Sequence, residues 1–185
     1  MRIVGGSLGG RRFSGPPGDA TRPTSERVRE AIASALDARG WIEGAVVLDL
    51  FAGTGALAFE ALSRGADRAF LVEKSRSVAR AIDKSARELG LEDRAKVIQA
   101  DLTKAGWMDG VEPASLVFLD PPYAEIARVE PLLSALAAAG KLQPDAVVVV
   151  EHARREPPTL PPGFGEVRSY RYGDTAVLVA AWESE

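Results

Sequence analysis

Cysteine is absent from the 185-residue sequence and histidine occurs once, at His152. These absences exclude disulfides, thiolate metal ligands, cysteine nucleophiles and any multi-histidine metal centre. No run of eighteen apolar residues exists, so nothing reads as a membrane-spanning helix. The opening Met1-Arg2-Ile3-Val4-Gly5-Gly6 is too short and glycine-broken for a secretion signal. A cytoplasmic, metal-free protein is expected, whose chemistry must use carboxylates, backbone groups or a bound cofactor.

What is present suits one folded domain. Hydrophobic residues make up 46% and charged residues 26% of the chain, enough to bury a sizeable core. The net charge of −3 is unevenly spread. Arg2, Arg11, Arg12, Arg22, Arg27 and Arg29 face only Asp19, Glu26 and Glu30 within the first thirty residues. Arginine's planar fork matches phosphate, although a solvated basic tail explains the same excess.

Residues 1–14 read as two short strands around a Gly-rich turn, an isolated hairpin that must lean on the domain or on a partner. Gly15-Pro16-Pro17-Gly18 breaks the chain after it, which suggests a mobile arm over 1–20 and a main domain over 21–185. Thr24 is placed to cap a helix whose apolar face is Val28, Ala31, Ile32, Ala35 and Leu36, with Arg27 and Arg29 on the polar face.

From residue 45 onward, apolar runs alternate with helical segments. The runs are 45–51, 68–73, 95–100, 115–120 and 146–151, and helices are expected near 55–64, 75–89 and 126–139. Unbroken Val/Leu/Ile runs mean strands buried on both faces, and the alternation means a parallel sheet. Residues 166–172 and 175–182 flank Gly173-Asp174, a two-residue hairpin turn. The expected fold is a doubly wound α/β domain with a mostly parallel seven-stranded sheet, an antiparallel C-terminal hairpin and a small N-terminal β-hairpin arm.

Two motifs carry chemistry. Val46–Phe51 runs into Ala52-Gly53-Thr54-Gly55, where strand, Gly-x-Gly and helix let backbone amides approach a ligand. Glu73 ends the next run, where a carboxylate can accept from ribose hydroxyls. Gly53-Thr54-Gly55-x-x-Ala58 also fits a dinucleotide fingerprint, so the loop alone leaves an NAD-dependent dehydrogenase open. Asp49 lies inside an apolar strand, where it must fix backbone or meet a cationic ligand group. The second motif, Asp120-Pro121-Pro122-Tyr123, ends the fourth run beside the Gly loop. Its prolines remove two N–H donors, leaving acceptors suited to a nucleobase amine, and Tyr123 can stack on the base. A plain strand-ending turn is the alternative.

Leu48-Asp49-Leu50-Phe51-Ala52-Gly53-Thr54-Gly55 resembles the cofactor motif of class I methyltransferases that use S-adenosylmethionine. The wider sequence resembles the RsmD family of 16S ribosomal RNA guanine-N2 methyltransferases. That likeness rests on Met1–Gly6 with Gly10-Arg11, Arg22-Pro23-Thr24, Arg27–Ala31, Glu60–Ala66, Asp120–Tyr123 and Tyr172-Gly173-Asp174-Thr175. It implies S-adenosylmethionine held by Asp49, Phe51, Gly53, Gly55, Glu73, Lys74, Asp101 and Leu102. It further implies catalysis by Asp120, Pro121, Pro122 and Tyr123 on a guanine of 16S ribosomal RNA or the small-subunit particle. Arg2, Arg11, Arg12, Arg22, Thr24 and Arg27 are the expected RNA contacts of a monomer. Methylation of adenine or cytosine, and a non-catalytic RNA-binding role in ribosome assembly, are the alternatives. Glu151 and His152 are expected near the site.

Overall fold

A computed structural model describes residues 1–16 and 26–183. Seven strands form one sheet in the order β3-β2-β1-β4-β5-β7-β6. The parallel part comprises β1 (Val46–Leu50), β2 (Arg68–Glu73), β3 (Ala95–Gln99), β4 (Ala114–Leu119) and β5 (Leu142–Ala153). β7 (Thr175–Trp182) inserts antiparallel between β5 and β6 (Phe164–Tyr172). This is the mixed sheet anticipated from the apolar runs and the Gly173-Asp174 turn.

Alternate residues of the strands feed two cores. Val47, Leu71, Leu116, Val149 and Val177 face one side, which is covered by α1 (Glu26–Asp37), α2 (Ala56–Ser63) and α3 (Arg76–Leu89). Leu48, Leu50, Val72, Val117, Val148 and Val150 face the other side, under α4 (Val129–Ala138) and the loop carrying Trp107 and Val111. Ser75 caps α3 by accepting from the Val78 amide, and Gly90, at φ 72°, ends it. The helix expected over 126–139 divides: Tyr123–Arg128 forms a 3-10 segment, and α4 starts at Val129.

The N-terminal hairpin forms as a single antiparallel bridge between Arg2 and Arg12, and the domain supports it. Ile3 and Phe13 are buried in the core, and Phe13 meets Phe59 edge-on at 5.4 Å. Such an aromatic pair contributes about 0.5–1.5 kcal/mol beyond its buried area. Glu60 accepts the amides of Val4 (2.9 Å) and Gly5 (2.7 Å), and Glu88 accepts that of Ser14 (2.6 Å). The first sixteen residues are therefore packed onto α2 and α3, not loosely attached as the glycine-proline break suggests. Arg29 also differs from expectation: it is fully buried, 3.8 Å from Glu60, and donates to the Arg2 carbonyl at 2.7 Å. Helical spacing puts it on the polar face, because its partner lies thirty-one positions away on another helix.

Candidate active site

Ligands of open parallel sheets bind beyond the carboxyl ends of the strands. A cleft of about 1110 Å³ lies along that edge here. In strand order its lining comprises Asp101 after β3, Glu73 on β2, Phe51 and Gly53 after β1, Asp120–Tyr123 after β4, Glu151 on β5, Thr175 on β7 and Tyr172 on β6. The sequence motifs at the ends of the first four strands thus come together in one groove.

The β1 end is tightly built. Phe51 holds φ 67°, a left-handed conformation unusual for a bulky residue and typical of positions where the fold imposes strain near a site. Glu73 braces the loop: one carboxylate oxygen accepts the Gly53 amide at 3.1 Å, the other the Ser75 amide at 2.7 Å. Gly55 does not line the cleft. Its φ is +75°, and a Cβ there would sit 2.9 Å from Phe59, 3.1 Å from Ile82 and 3.2 Å from Leu71, so it serves the turn into α2.

Asp49 lies beneath the loop, 2% exposed, rather than on the cleft surface. Burial pushes its carboxyl well above the usual range, the Asp120 charge adds to this, and a hydrogen bond from the Ala58 backbone partly opposes it. Asp101 is the reverse case. It accepts from the Thr103 amide (2.9 Å) and hydroxyl (2.8 Å) and pairs with Lys74 at 3.0 Å, which hold it well below the ordinary carboxylate range. Leu102 joins it on the wall.

On the acceptor side, Pro121 is buried and Tyr123 is 39% exposed. The 3-10 segment that follows carries Glu125 and Arg128, which form an ion pair, and the Arg128 guanidinium lies 5.6 Å from the centre of the Phe51 ring. Arg128, Glu125, Tyr172, Thr175, Val28 and Ser75 line the cleft without having been singled out for it individually. Spacing carries no signal for most of them, because they arrive from elements distant in sequence. In the Tyr172-Gly173-Asp174-Thr175 block the sequence signals a turn, not a cleft wall. Glu151 lies in the cleft as expected, whereas His152 is buried, with Nδ1 2.9 Å from the Ala153 carbonyl oxygen.

The arm arginines are not among the lining residues. Arg2 pairs with Glu26 at 3.0 Å. Arg11 donates to the carbonyls of Leu89 (2.9 Å) and Glu88 (2.6 Å), sealing the C-terminus of α3 at the amino edge of the sheet, opposite the cleft. Arg12 is exposed, and exposed Arg27 precedes the cleft residue Val28. Arg22 and Thr24 lie outside the described residues.

Known proteins share this architecture. The chain is 33% identical over 190 residues to the ribosomal RNA small subunit methyltransferase D of Escherichia coli, an alignment covering 100% of this chain and 91% of that protein. The solved structure of yhhF from Escherichia coli superposes with a TM-score of 0.86 at 32% identity, covering 100% and 99% of the two chains. An RNA methyltransferase of Salinibacter ruber, solved with S-adenosyl-L-homocysteine, shares the fold at 21% identity and a TM-score of 0.67, over 89% and 95%. The family model described as conserved hypothetical protein 95 matches residues 1–181, and with it the chain belongs to the RsmD family.

Proposed function

We propose that the protein transfers a methyl group from S-adenosylmethionine to the exocyclic N2 amine of a guanine in 16S ribosomal RNA. The observation that carries this reading is the concentration of carboxylates around the glycine loop: Asp49 beneath it, Glu73 bracing it, and Asp101 and Asp120 on either side of it in strand order. The Gly53 amide, which a diphosphate would need, already donates to Glu73. Lys74, a cation beside the site, is paired with Asp101. That donor set suits a cationic ligand with hydroxyls and an amine, and suits a dinucleotide poorly.

S-adenosylmethionine, when bound, supplies an electrophilic methyl group on a positively charged sulfur. Glu73 takes the ribose hydroxyls and Asp101 the adenine amine, with Phe51, Gly53, Lys74 and Leu102 shaping their surroundings. Asp49 and Gly55 act from beneath, through charge and turn geometry. Asp120 and the Pro121 carbonyl would accept hydrogen bonds from the two N–H groups of the guanine amine, orienting its weak nitrogen lone pair toward the methyl group, while Pro122 fixes the turn. Asp120 would stabilise the positive charge that develops on that nitrogen as it takes the methyl group. The proton then leaves to Asp120 or water. Tyr123 stacks on the base, a contact worth about 1–3 kcal/mol.

The relatives named as acting on ribosomal RNA of the small subunit support that substrate class. The protein is then a cytoplasmic monomer; among the described residues no helix is long and apolar enough to cross a membrane. Exposed Arg27, beside the cleft, and exposed Arg12 are the arm-side candidates for RNA contact.

The test is D120A, assayed with undermethylated small subunits and labelled methyl donor. Transfer should fall by about a hundred- to a thousandfold while S-adenosylmethionine binding persists, the scale of losing one transition-state charge stabiliser. Unchanged turnover would overturn the assignment, and label on another base would overturn the N2 target.

A further inference from the structure

The arginine excess at the N-terminus points to the arm as the RNA-holding surface, but the folded chain directs attention elsewhere. Arg11 and the turn at Gly6–Leu8 contact the ends of α3 and α2: Arg11 meets Leu89, and Leu8 and Ser7 meet Ser63. These helix ends lie at the amino edge of the sheet, a strand's length away from the cleft at the carboxyl edge. Arg2 and Arg29 are engaged with Glu26 and Glu60.

Beyond the acceptor residues, the carboxyl edge continues across β5, β7 and β6. Thr175 pairs with Ala153 on one side and Tyr172 on the other, so the ends of three strands finish flush, and the Arg154 amide donates to the Asp174 carbonyl at 2.8 Å. Arg154, Arg155 and Arg171 stand at this corner, all exposed and without an ion pair among the described residues. The nearby acids Glu156 and Asp174 form no ion pair with them. Unpaired guanidinium groups clustered on an otherwise acidic protein, next to a cleft, are an electrostatic footprint for phosphate.

We infer that Arg154, Arg155 and Arg171 hold the phosphates of the RNA strand that flanks the target nucleotide, making the β5–β7–β6 corner the principal RNA-binding wall. This rests on the function proposed above. From β4, where the acceptor motif lies, to β6 is three strand spacings, about 14 Å at about 4.8 Å each. A stacked strand covers that distance in about four nucleotides at about 3.4 Å per step. Phosphate contacts fix register without reading sequence, which suits a small chain presenting one base to one pocket.

The experiment compares wild type with the triple variant R154Q, R155Q, R171Q, and with the control R39Q, R87Q at the amino edge. The readouts are affinity for a small-subunit RNA fragment across a salt series, and S-adenosylmethionine affinity as a check on folding. The triple variant should bind RNA about tenfold more weakly at low salt. Its slope of log affinity against log salt should be shallower by about 2–3, since each lost phosphate contact removes about 0.7–0.9. The control should match wild type, and cofactor affinity should stay constant throughout. Wild-type RNA binding with an unchanged slope in the triple variant overturns the wall alone. Wild type that neither binds nor methylates the RNA overturns the function and the wall together.

Discussion

Arg29 and Glu60 face each other as fully buried opposite charges on α1 and α2, 3.8 Å apart. The Glu60 carboxylate also accepts from Val4, Gly5 and the Arg64 Nε at 3.1 Å, so one side chain ties two helices to the N-terminal segment. Removing one member of such a pair leaves the other charge buried and uncompensated, at a cost of about 3–5 kcal/mol. We expect E60A to lose that much in urea unfolding and to expose residues 1–16 to protease. E60A with wild-type stability would show that the pair has no structural weight.

Asp49 gives a pH-dependent outcome. Its folded pKa is raised, so its protonated form is favoured by folding. The stability it contributes is fully present below the ordinary aspartate value of about 3.9 and is lost as pH rises toward the folded value. Relative to wild type, D49N should gain stability at neutral pH, with the advantage shrinking as the solution is acidified. Cofactor affinity should fall, because the carboxyl that a bound cationic group would draw toward its charged form has been removed. Urea midpoints at pH 4 and pH 8, with calorimetric titration of S-adenosylmethionine, check both; a stability difference growing toward low pH would contradict the burial argument.

Gly55 tests the turn. Alanine there must accept φ +75° and press on Phe59 at 2.9 Å. Left-handed backbone costs about 1–2 kcal/mol for a residue with a Cβ, before any repacking. G55A should lose about 2 kcal/mol or more. The equivalent change at Gly90, whose Cβ would meet nothing within 4 Å, should cost only the backbone share. Equal losses at both sites would show that the close approach to Phe59 is immaterial.

Most of the sheet was legible because buried strands need continuous apolar runs, and 46–50, 68–73, 114–119 and the core of β5 supply them. Gly53, Glu73 and Asp120–Tyr123 were legible because the cofactor edge reuses strand ends at regular positions. What was not legible depends on contacts between distant segments. Arg29 reads as a surface charge until Glu60 is placed beside it. The clue is Glu60 itself, a lone carboxylate in the apolar stretch Ala56–Ser63. Arg128 reaches the cleft through a 3-10 segment that apolar spacing merges with the following helix.

The insertion of β7 between β5 and β6 constrains how the molecule is made. β6 emerges from the ribosome before β7, yet among the described residues β7 is its one neighbour in the sheet. Until residues 175–182 are free of the exit tunnel, β6 has nothing to pair with and β5 presents a bare flank. A protein proposed to modify ribosomes thus completes its own sheet only once β7 has cleared one.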